Sequence, residues 1–512
     1  MYARARGVAV VGVRGHLVSV EAHVGRGLPT LLLTGLPGAS VQDARERVRP
    51  AVESAGMQWP LRRVTVNLSP ADVRKEGAGF DLPIAAAVLA ATGQVPEEPL
   101  APYVLAGELS LRGRLMPTPG ILAVADAAAR GGHAGVIVPE ANAAEAAVVD
   151  GLRVVGAPSL GEVAAFARGR WEPKPARPPE DRAPAPARID FAEIRGQAEA
   201  RRALEVAAAG GHNVLMVGPP GAGKTMLARR LPTILPGLTR AEALEVTRLH
   251  SVAGLLGPGE ALVTARPYRA PHHSVSVAGL LGGGSTVVRP GEVSLAHRGV
   301  LFMDEVTEFR RDTLEGLRQP LEDGRVVVVR AAGAVDFPSR FTLVAAANPC
   351  PCGFFGDPRR RCRCIPHRLT AYRGRLSGPL LDRIDLRLRI PRLTRGELMG
   401  SAPGEQSERI RERVEAARER QRHRLAGTGV ACNADLTGAE ARRLARLTPS
   451  AEAALGHGVE RFELTGRGFD RALKVARTIA DLAGSDRVDG PHLLEAMSFR
   501  GEPVEMEDAG VA

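Results

Sequence analysis

NVLMVGPPGAGKTMLARRL, residues 213–231, decides how the rest of the chain is read. Val214 to Val217 form a short apolar run. A loop of glycine and proline follows, and a helical pattern opens at Lys224. A buried strand, a tight glycine loop and a helix start, in that order, are what a P-loop requires. Gly218, Pro219, Pro220, Gly221, Ala222 and Gly223 would turn backbone N–H groups inward onto phosphate. The helix behind them adds its positive end. Lys224 would reach the β- and γ-phosphates, and Thr225 would hold Mg2+.

Two further strands complete the expectation. GVLFMDE, residues 299–305, is an apolar run with two acids at its carboxyl end. Asp304 would join the Mg2+ shell, and Glu305 would polarise the attacking water. FTLVAAANP, residues 341–349, ends in Asn348, a polar group suited to aligning that water against the γ-phosphate. Short apolar strands, each followed by a turn or helix, predict a doubly wound parallel sheet. From about Leu393 the strand patterns stop. SERIRERVEAARERQRHR, ADLTGAEARRLARL and GRGFDRALKVARTIADLAG predict a helical domain.

These pieces resemble the AAA+ ATPases, and that resemblance implies ATP as the nucleotide. FAEIRGQAEARRALEVAAAGGHNVLMVGPPGAGKT looks like the start of such a module, with Ile194 and Gln197 beside the adenine. By the same resemblance, SGPLLDRIDL carries an arginine finger at Arg383, acting on the ATP of a neighbouring subunit. LTGRGFDRALKVAR carries a sensor arginine, Arg467, reaching the γ-phosphate of its own subunit. A finger acting in trans implies a homo-oligomeric ring, most often a hexamer. RPYRAPHHSVSVAGLLGGGSTVVRPGEVSLAHRGVLFMDE and LRQPLEDGRVVVVRAAGAVDFPSRFTLVAAANPCPCG narrow the resemblance to the magnesium-chelatase-like branch, and within it to the YifB/ComM family. The likeness runs from Ala5 to about Gly501.

The first third also has a resemblance of its own. LSPADVRKEGAGFDLPIAAAVLAATG and LAGELSLRGRLMPTPGILAVADAAARGGHAGVIVPEAN are similar to the proteolytic domain of Lon-type peptidases. In those enzymes the first motif reads lysine-aspartate-glycine-proline-serine-alanine-glycine. Aligning Lys75, Glu76 and Gly77 with its start puts Gly79 at the nucleophile and Leu122 at the lysine base. Glycine cannot attack and leucine cannot accept a proton, so a serine–lysine pair is missing both members. The fold is expected to be retained without the protease chemistry. Short strand patterns alternating with helical ones, such as RRVTVNLSP and DLPIAAAVLAATG, fit a mixed α/β domain.

The fold class expected is therefore multidomain α/β. Residues 1–171 form a Lon-protease-like domain, and 172–188 (EPKPARPPEDRAPAPAR) form a proline- and alanine-rich spacer. Residues 189–392 form the AAA+ core and 393–512 a helical lid. At 512 residues, with 44% hydrophobic and 24% charged residues, the chain can bury sizeable cores. No apolar run approaches the ~20 residues that span a bilayer, and the early arginines lead into no cleavage signal, so the expected compartment is the cytoplasm.

Net charge is +11, which favours anionic partners, while aromatic residues make up only 4%, so contacts to DNA would be to phosphates. Arg266, Arg269, His272, His273 and Arg289 flank a glycine-rich insert, and Arg325 and Arg330 bracket a run of valines that reads as a hairpin strand. These are the candidate contacts to single-stranded or branched DNA. The family resemblance implies a DNA motor, a branch-migration helicase of natural transformation or recombination. The alternative is a chelatase-like ATPase, or a protein remodeller, that ignores DNA. Finally, CPCGFFGDPRRRCRC gathers Cys350, Cys352, Cys362 and Cys364 in two C-x-C pairs, a set able to close a structural Zn2+ site.

Overall fold

The computed structural model describes residues 1–177, 189–257, 259–284, 287–330, 333–357, 359–400, 404–461 and 464–500. Most of the proline-rich spacer lies outside them.

The first domain is built on alternation. Strand β1 (Tyr2–Val11) turns at Gly12 into β2 (Arg14–Gly25), and Ala3, Ala5, Val18, Val20 and Ala22 point to one buried face. Gly12 adopts φ +61°, the left-handed turn conformation that glycine takes without strain. β3 (Thr30–Thr34) and β4 (Arg63–Ser69) complete a mixed sheet in the order β1-β2-β4-β3. Helix α1 (Ala44–Ser54) precedes β4, and α2 (Asp81–Ala91) is buried almost all round, as its run of alanine, leucine, isoleucine and valine dictates. A second, parallel sheet holds β5 (Tyr103–Leu105), β6 (Gly135–Pro139) and β7 (Arg153–Ala157), with α3 (Ile121–Arg130) crossing between β5 and β6. Helix α4 (Leu160–Ala167) closes the domain, capped by Ser159.

The second domain starts with α5 (Ala198–Gly210), β8 (Val214–Val217), α6 (Lys224–Ile234) and α7 (Arg240–Ala253). Then come β9 (Tyr268–Arg269), β10 (Val300–Met303), a hairpin of β11 (Arg325–Arg330) and β12 (Gly333–Pro338), β13 (Thr342–Ala347) and β14 (Leu386–Arg389). β9, β10, β13, β8 and β14 form one parallel sheet in that order. Successive residues feed opposite cores. Val214, Met216, Val300, Phe302, Val344 and Ala346 face one side, and Leu215, Leu301, Met303, Leu343 and Ala345 the other. This is the doubly wound sheet that the short apolar runs implied.

Beyond Arg389 the elements among the described residues are helical: short turns of helix at Arg395–Gly400 and Asn433–Asp435, and the longer α8 (Ser407–Arg424), α9 (Gly438–Ala445), α10 (Pro449–Arg461), α11 (Gly466–Leu482) and α12 (Gly490–Ser498). Their apolar stripes, including Ile410, Val414, Leu473 and Ile479, merge with the first of the two sheet cores.

The two domains also touch directly. The N–H of Gly120, at the start of α3, donates to the carbonyl of Ser251 near the end of α7 (3.2 Å). Leu122 packs in one apolar cluster with Val148, Ala261, Leu244 and Leu262. Arg248 of α7 reaches Asp126 of α3 at 3.1 Å.

Candidate nucleotide site

In a parallel sheet, ligands gather where strands end. β13 stands between β8 and β10, so three carboxyl ends lie side by side: the glycine loop after β8, Asn348 after β13, and Asp304–Glu305 after β10. Gly221 and Gly223 hold φ +76° and +90°. A Cβ added at Gly221 would meet nothing within 4 Å, so the loop is an open cradle. At Gly218 a Cβ would lie 2.2 Å from the Ile390 carbonyl, which forbids any side chain there.

Lys224 is buried, and its ammonium donates to the carbonyls of Gly218 (2.6 Å) and Pro219 (3.1 Å) and to Asn348 Oδ1 (3.0 Å). Burial pulls its pKa down, against the favourable charges of Asp304 and Glu305. The Thr225 hydroxyl donates to Asp304 Oδ2 at 2.7 Å, leaving two hard oxygens adjacent, a donor set suited to Mg2+. Glu305 is exposed and sits at φ +49°, a strained value for a side chain of that size, and such strain collects at functional sites. The strand-end set expected from the sequence is therefore brought together.

The adenine pair behaves differently from expectation. Ile194 is fully buried in the apolar core. Gln197 uses its amide to brace the loop, donating to the Ala222 carbonyl at 2.6 Å. Gln197 thus touches the loop, with its Oε1 left without a partner, while Ile194 is spent on packing.

Arg383 and Arg467 lie elsewhere. Arg383 precedes β14, and its carbonyl accepts from Asn213 Nδ2 at 3.0 Å, at the amino end of β8. Four strand residues at ~3.3 Å each separate that end from the glycine loop. The Arg383 guanidinium is held by Glu322 and the Pro379 carbonyl. Arg467 is 3.8 Å from Asp382, the residue beside Arg383, and so shares that edge. The own-subunit reach expected for Arg467 is not what this geometry provides. Beneath both, buried Asp385 accepts from the Asn213 backbone N–H and pairs with Arg471 of α11 and with His212. Sequence reading missed the roles of Glu322 and Asp385, which lie inside the quoted stretches but show their partners only by contact.

The basic candidates divide. Arg266 is half-buried and donates to the carbonyls of Pro236, Arg298 and Gly237 while pairing with Glu242 at 3.2 Å. Arg269 makes a two-pronged pair with Glu292, at 2.7 and 2.8 Å. Both are committed inside the subunit, which corrects their expected role on DNA. His272 and His273 lie with ring centres 4.0 Å apart, His273 edge-on to Phe309. Arg289, Arg325 and Arg330 are exposed. Arg289 pairs with Gly283 across a short ladder, and a Cβ on Gly283 would lie 3.2 Å from Arg330 Nη2. Gly283 of the glycine-rich insert and Arg330 at the end of β11 therefore stand together.

The four cysteines converge. Their sulfurs all lie within 4.8 Å of one another, with Cys350 to Cys352 at 3.3 Å, Cys350 to Cys362 at 3.7 Å and Cys352 to Cys362 at 3.6 Å. A tetrahedron of thiolates at the usual ~2.3 Å from zinc has edges of about 3.8 Å. In the first domain, the Leu122 N–H donates to buried Glu145 (2.8 Å), which also takes a hydrogen bond from the Ser251 hydroxyl. Gly79 presents no side chain, only a carbonyl that accepts from Gly107 N–H at 2.9 Å.

A sheet with a polar-ended strand set between the phosphate loop and the acid pair defines an AAA+-type ATPase. Comparison with known proteins agrees. Residues 190–398 match the family described as "Magnesium chelatase, subunit ChlI", residues 20–142 match "Subunit ChlI of Mg-chelatase", and residues 404–500 match "Magnesium chelatase, subunit ChlI C-terminal". The chain is 47% identical to an uncharacterized protein of Mycobacterium tuberculosis over 97% of this chain and 98% of that one. It is 42% identical to the uncharacterized protein YifB of Escherichia coli and 41% identical to the competence protein ComM of Haemophilus influenzae, over 96% of both chains in each case. Its first third is also similar to a Lon protease of Sorangium cellulosum, 33% identical over 27% of this chain and 17% of that one. The chain belongs to the YifB/ComM family of magnesium-chelatase-like proteins.

Proposed function

We propose that this protein is an ATP-hydrolysing ring motor, a hexamer of identical subunits, that moves single-stranded or branched DNA as a branch-migration helicase in transformation or recombination. The observation that carries the reading is the separation of Arg383 and Arg467 from their own glycine loop. Two arginines at the far edge of the module complete a catalytic set only across a subunit boundary, and an arginine supplied in trans is worth about a thousandfold or more in rate. Lys224, Thr225, Asp304, Glu305 and Asn348 supply the other half, with ATP and Mg2+ as the ligands.

Arg289, Arg325 and Arg330 on the insert and hairpin, together with His272 and His273, supply phosphate contacts that do not read sequence. The similarity to a competence protein adds weight to DNA as the partner. With Gly79 and Leu122 in place of a nucleophile and base, the first domain is no protease and serves assembly or DNA entry. The cysteine cluster holds a structural Zn2+. Among the described residues no helix is long and apolar enough to cross a membrane, and the motor works in the cytoplasm.

The test is ATP hydrolysis by the purified protein with no DNA, single strand, duplex and fork, beside Glu305→Gln. Several-fold stimulation by single-stranded or forked DNA, absent in the variant, is the expected result. A variant-sensitive rate indifferent to every DNA would sink the motor. It would favour the chelatase-like or remodelling reading that the magnesium chelatase matches leave in play.

A further inference from the structure

The cysteine loop is the direct continuation of the strand that carries Asn348. Cys350 lies two residues beyond it and is fully buried, while the other three ligands are half-buried. Phe355 N–H points at Cys350 Sγ (3.3 Å) and Cys364 N–H at Cys362 Sγ (3.4 Å), donors of the kind that orient thiolates around a metal.

The loop does not hang free. Gly353 has φ +81°, and a Cβ placed on it would lie 2.5 Å from Cδ and 2.7 Å from Cγ of Pro220, inside the phosphate loop. The backbone of the cysteine loop therefore rests on the proline of the nucleotide cradle, with no room for a side chain between them. On its far side the loop is tied to the strand flanking β8. Arg389, the last residue of β14, donates to the Gly356 carbonyl at 3.3 Å, and Arg392 pairs with Asp357 at 3.1 Å. Arg360 and Arg392 lie over the Phe354 ring at 5.1 and 5.4 Å. The loop thus starts at Asn348, crosses over Pro220 and fastens beyond the other side of the P-loop strand.

Within 350–364, the only buried positions among the described residues are Cys350 and Gly353. A segment with so little apolar burial cannot fix its own shape, and a metal is what supplies the folding energy in such cases. We propose that zinc in the four-thiolate site is the buttress of the nucleotide cradle: it fixes the loop that presses on Pro220 and anchors Asn348, so that loss of the metal is felt as loss of ATP affinity. This rests on the zinc reading given above, and goes past a merely local structural role.

The experiment uses the full chain. Zinc is quantified in the purified protein, which is then stripped by a chelator. Binding of a fluorescent ATP analogue is titrated in excess Mg2+ before stripping, after it, and after zinc is returned. Gly353→Ala, which keeps all four sulfurs but pushes a methyl group against Pro220, is titrated in parallel. About one zinc per chain is expected, with ATP affinity falling roughly tenfold on stripping and recovering with zinc, and Gly353→Ala keeping its zinc while binding the analogue about tenfold more weakly. A protein that neither carries zinc nor takes it up overturns the zinc reading and the buttress together. Zinc that is present but whose removal leaves affinity unchanged overturns the buttress alone. If stripping unfolds the chain, Gly353→Ala decides: unchanged affinity in the folded, zinc-loaded variant refutes the coupling.

Discussion

The two domains have treated their strand ends and helix starts in opposite ways. At the head of α6 the second domain keeps a buried ammonium, two left-handed glycines and, across the cradle, a glutamate in a strained conformation. None of these serves packing. At the head of α3 the first domain has Leu122, the position expected to match the peptidases' lysine, fully buried in an apolar cluster with Val148 of its own domain and Leu244, Ala261 and Leu262 of the neighbouring one. Where a charged side chain is retained in the first domain it is wired to structure. Asp81, behind Gly79, is paired with Arg47 at 2.7 Å and accepts the Leu109 N–H, and buried Lys75 donates to the Pro70 carbonyl. A working site keeps local costs that burial could have removed. The helix start at Leu122 in the first domain carries none of these costs.

The contrast can be broken, first and most severely, at Arg383. On the proposed role in trans, Arg383→Ala should lower the hydrolysis rate of the assembled protein by about a thousandfold or more while leaving ATP binding intact. Mixing this variant with Lys224→Ala should restore hydrolysis at the mixed interfaces, and failure to do so would refute action in trans. Glu305→Gln should cost about a hundredfold in rate, the scale of a lost general base, with the nucleotide still bound.

In the first domain the expected loss is of stability rather than rate. Leu122→Ala removes a fully buried side chain at the domain contact and should cost about 2–5 kcal/mol in unfolding free energy, read by denaturant titration. The double change Gly79→Ser with Leu122→Lys should restore no peptidase activity, because the lysine would be buried in an apolar contact. Cleavage of an unstructured protein by that variant would erase the contrast altogether.

The smallest effect concerns α7. Glu245 accepts from His297 and pairs with Arg298, and these partners, the histidine hydrogen bond foremost, pull its pKa from 4.5 to about 2. A depressed carboxylate stabilises the fold above its unfolded pKa, and that contribution fades as pH falls from about 4.5 through about 2. Glu245→Gln should therefore lower the melting temperature slightly at neutral pH and by progressively less in acid. A difference from the parent protein that does not shrink on acidification would argue against the assignment.

Much of this was legible in the sequence. Strand, glycine loop and acid pair are local patterns with fixed spacing, so the convergence of the glycine loop, Lys224, Thr225 and Asp304 could be read off directly. The cysteines could be paired with each other because they lie close in sequence. What failed was anything set by a distant partner. Arg266 and Arg269 read as free basic residues until Glu242 and Glu292 claimed them. Arg467 read as serving its own cradle until its lid helix turned it toward Asp382. Charge can be counted in a sequence, but its availability depends on contacts between segments far apart in the chain.

The seam between α3 and α7 bears on how this protein can be taken apart. Cutting within the proline-rich spacer severs the chain but not the seam. A fragment beginning at Ile189 would carry into water the faces of Leu244, Ala261 and Leu262, together with Val335 and Phe337, which now lie under the Gly12 turn. Apolar surface uncovered in that way drives self-association. The two domains are therefore joined twice, once by the spacer and once by this seam, and only the first join can be cut without uncovering apolar surface.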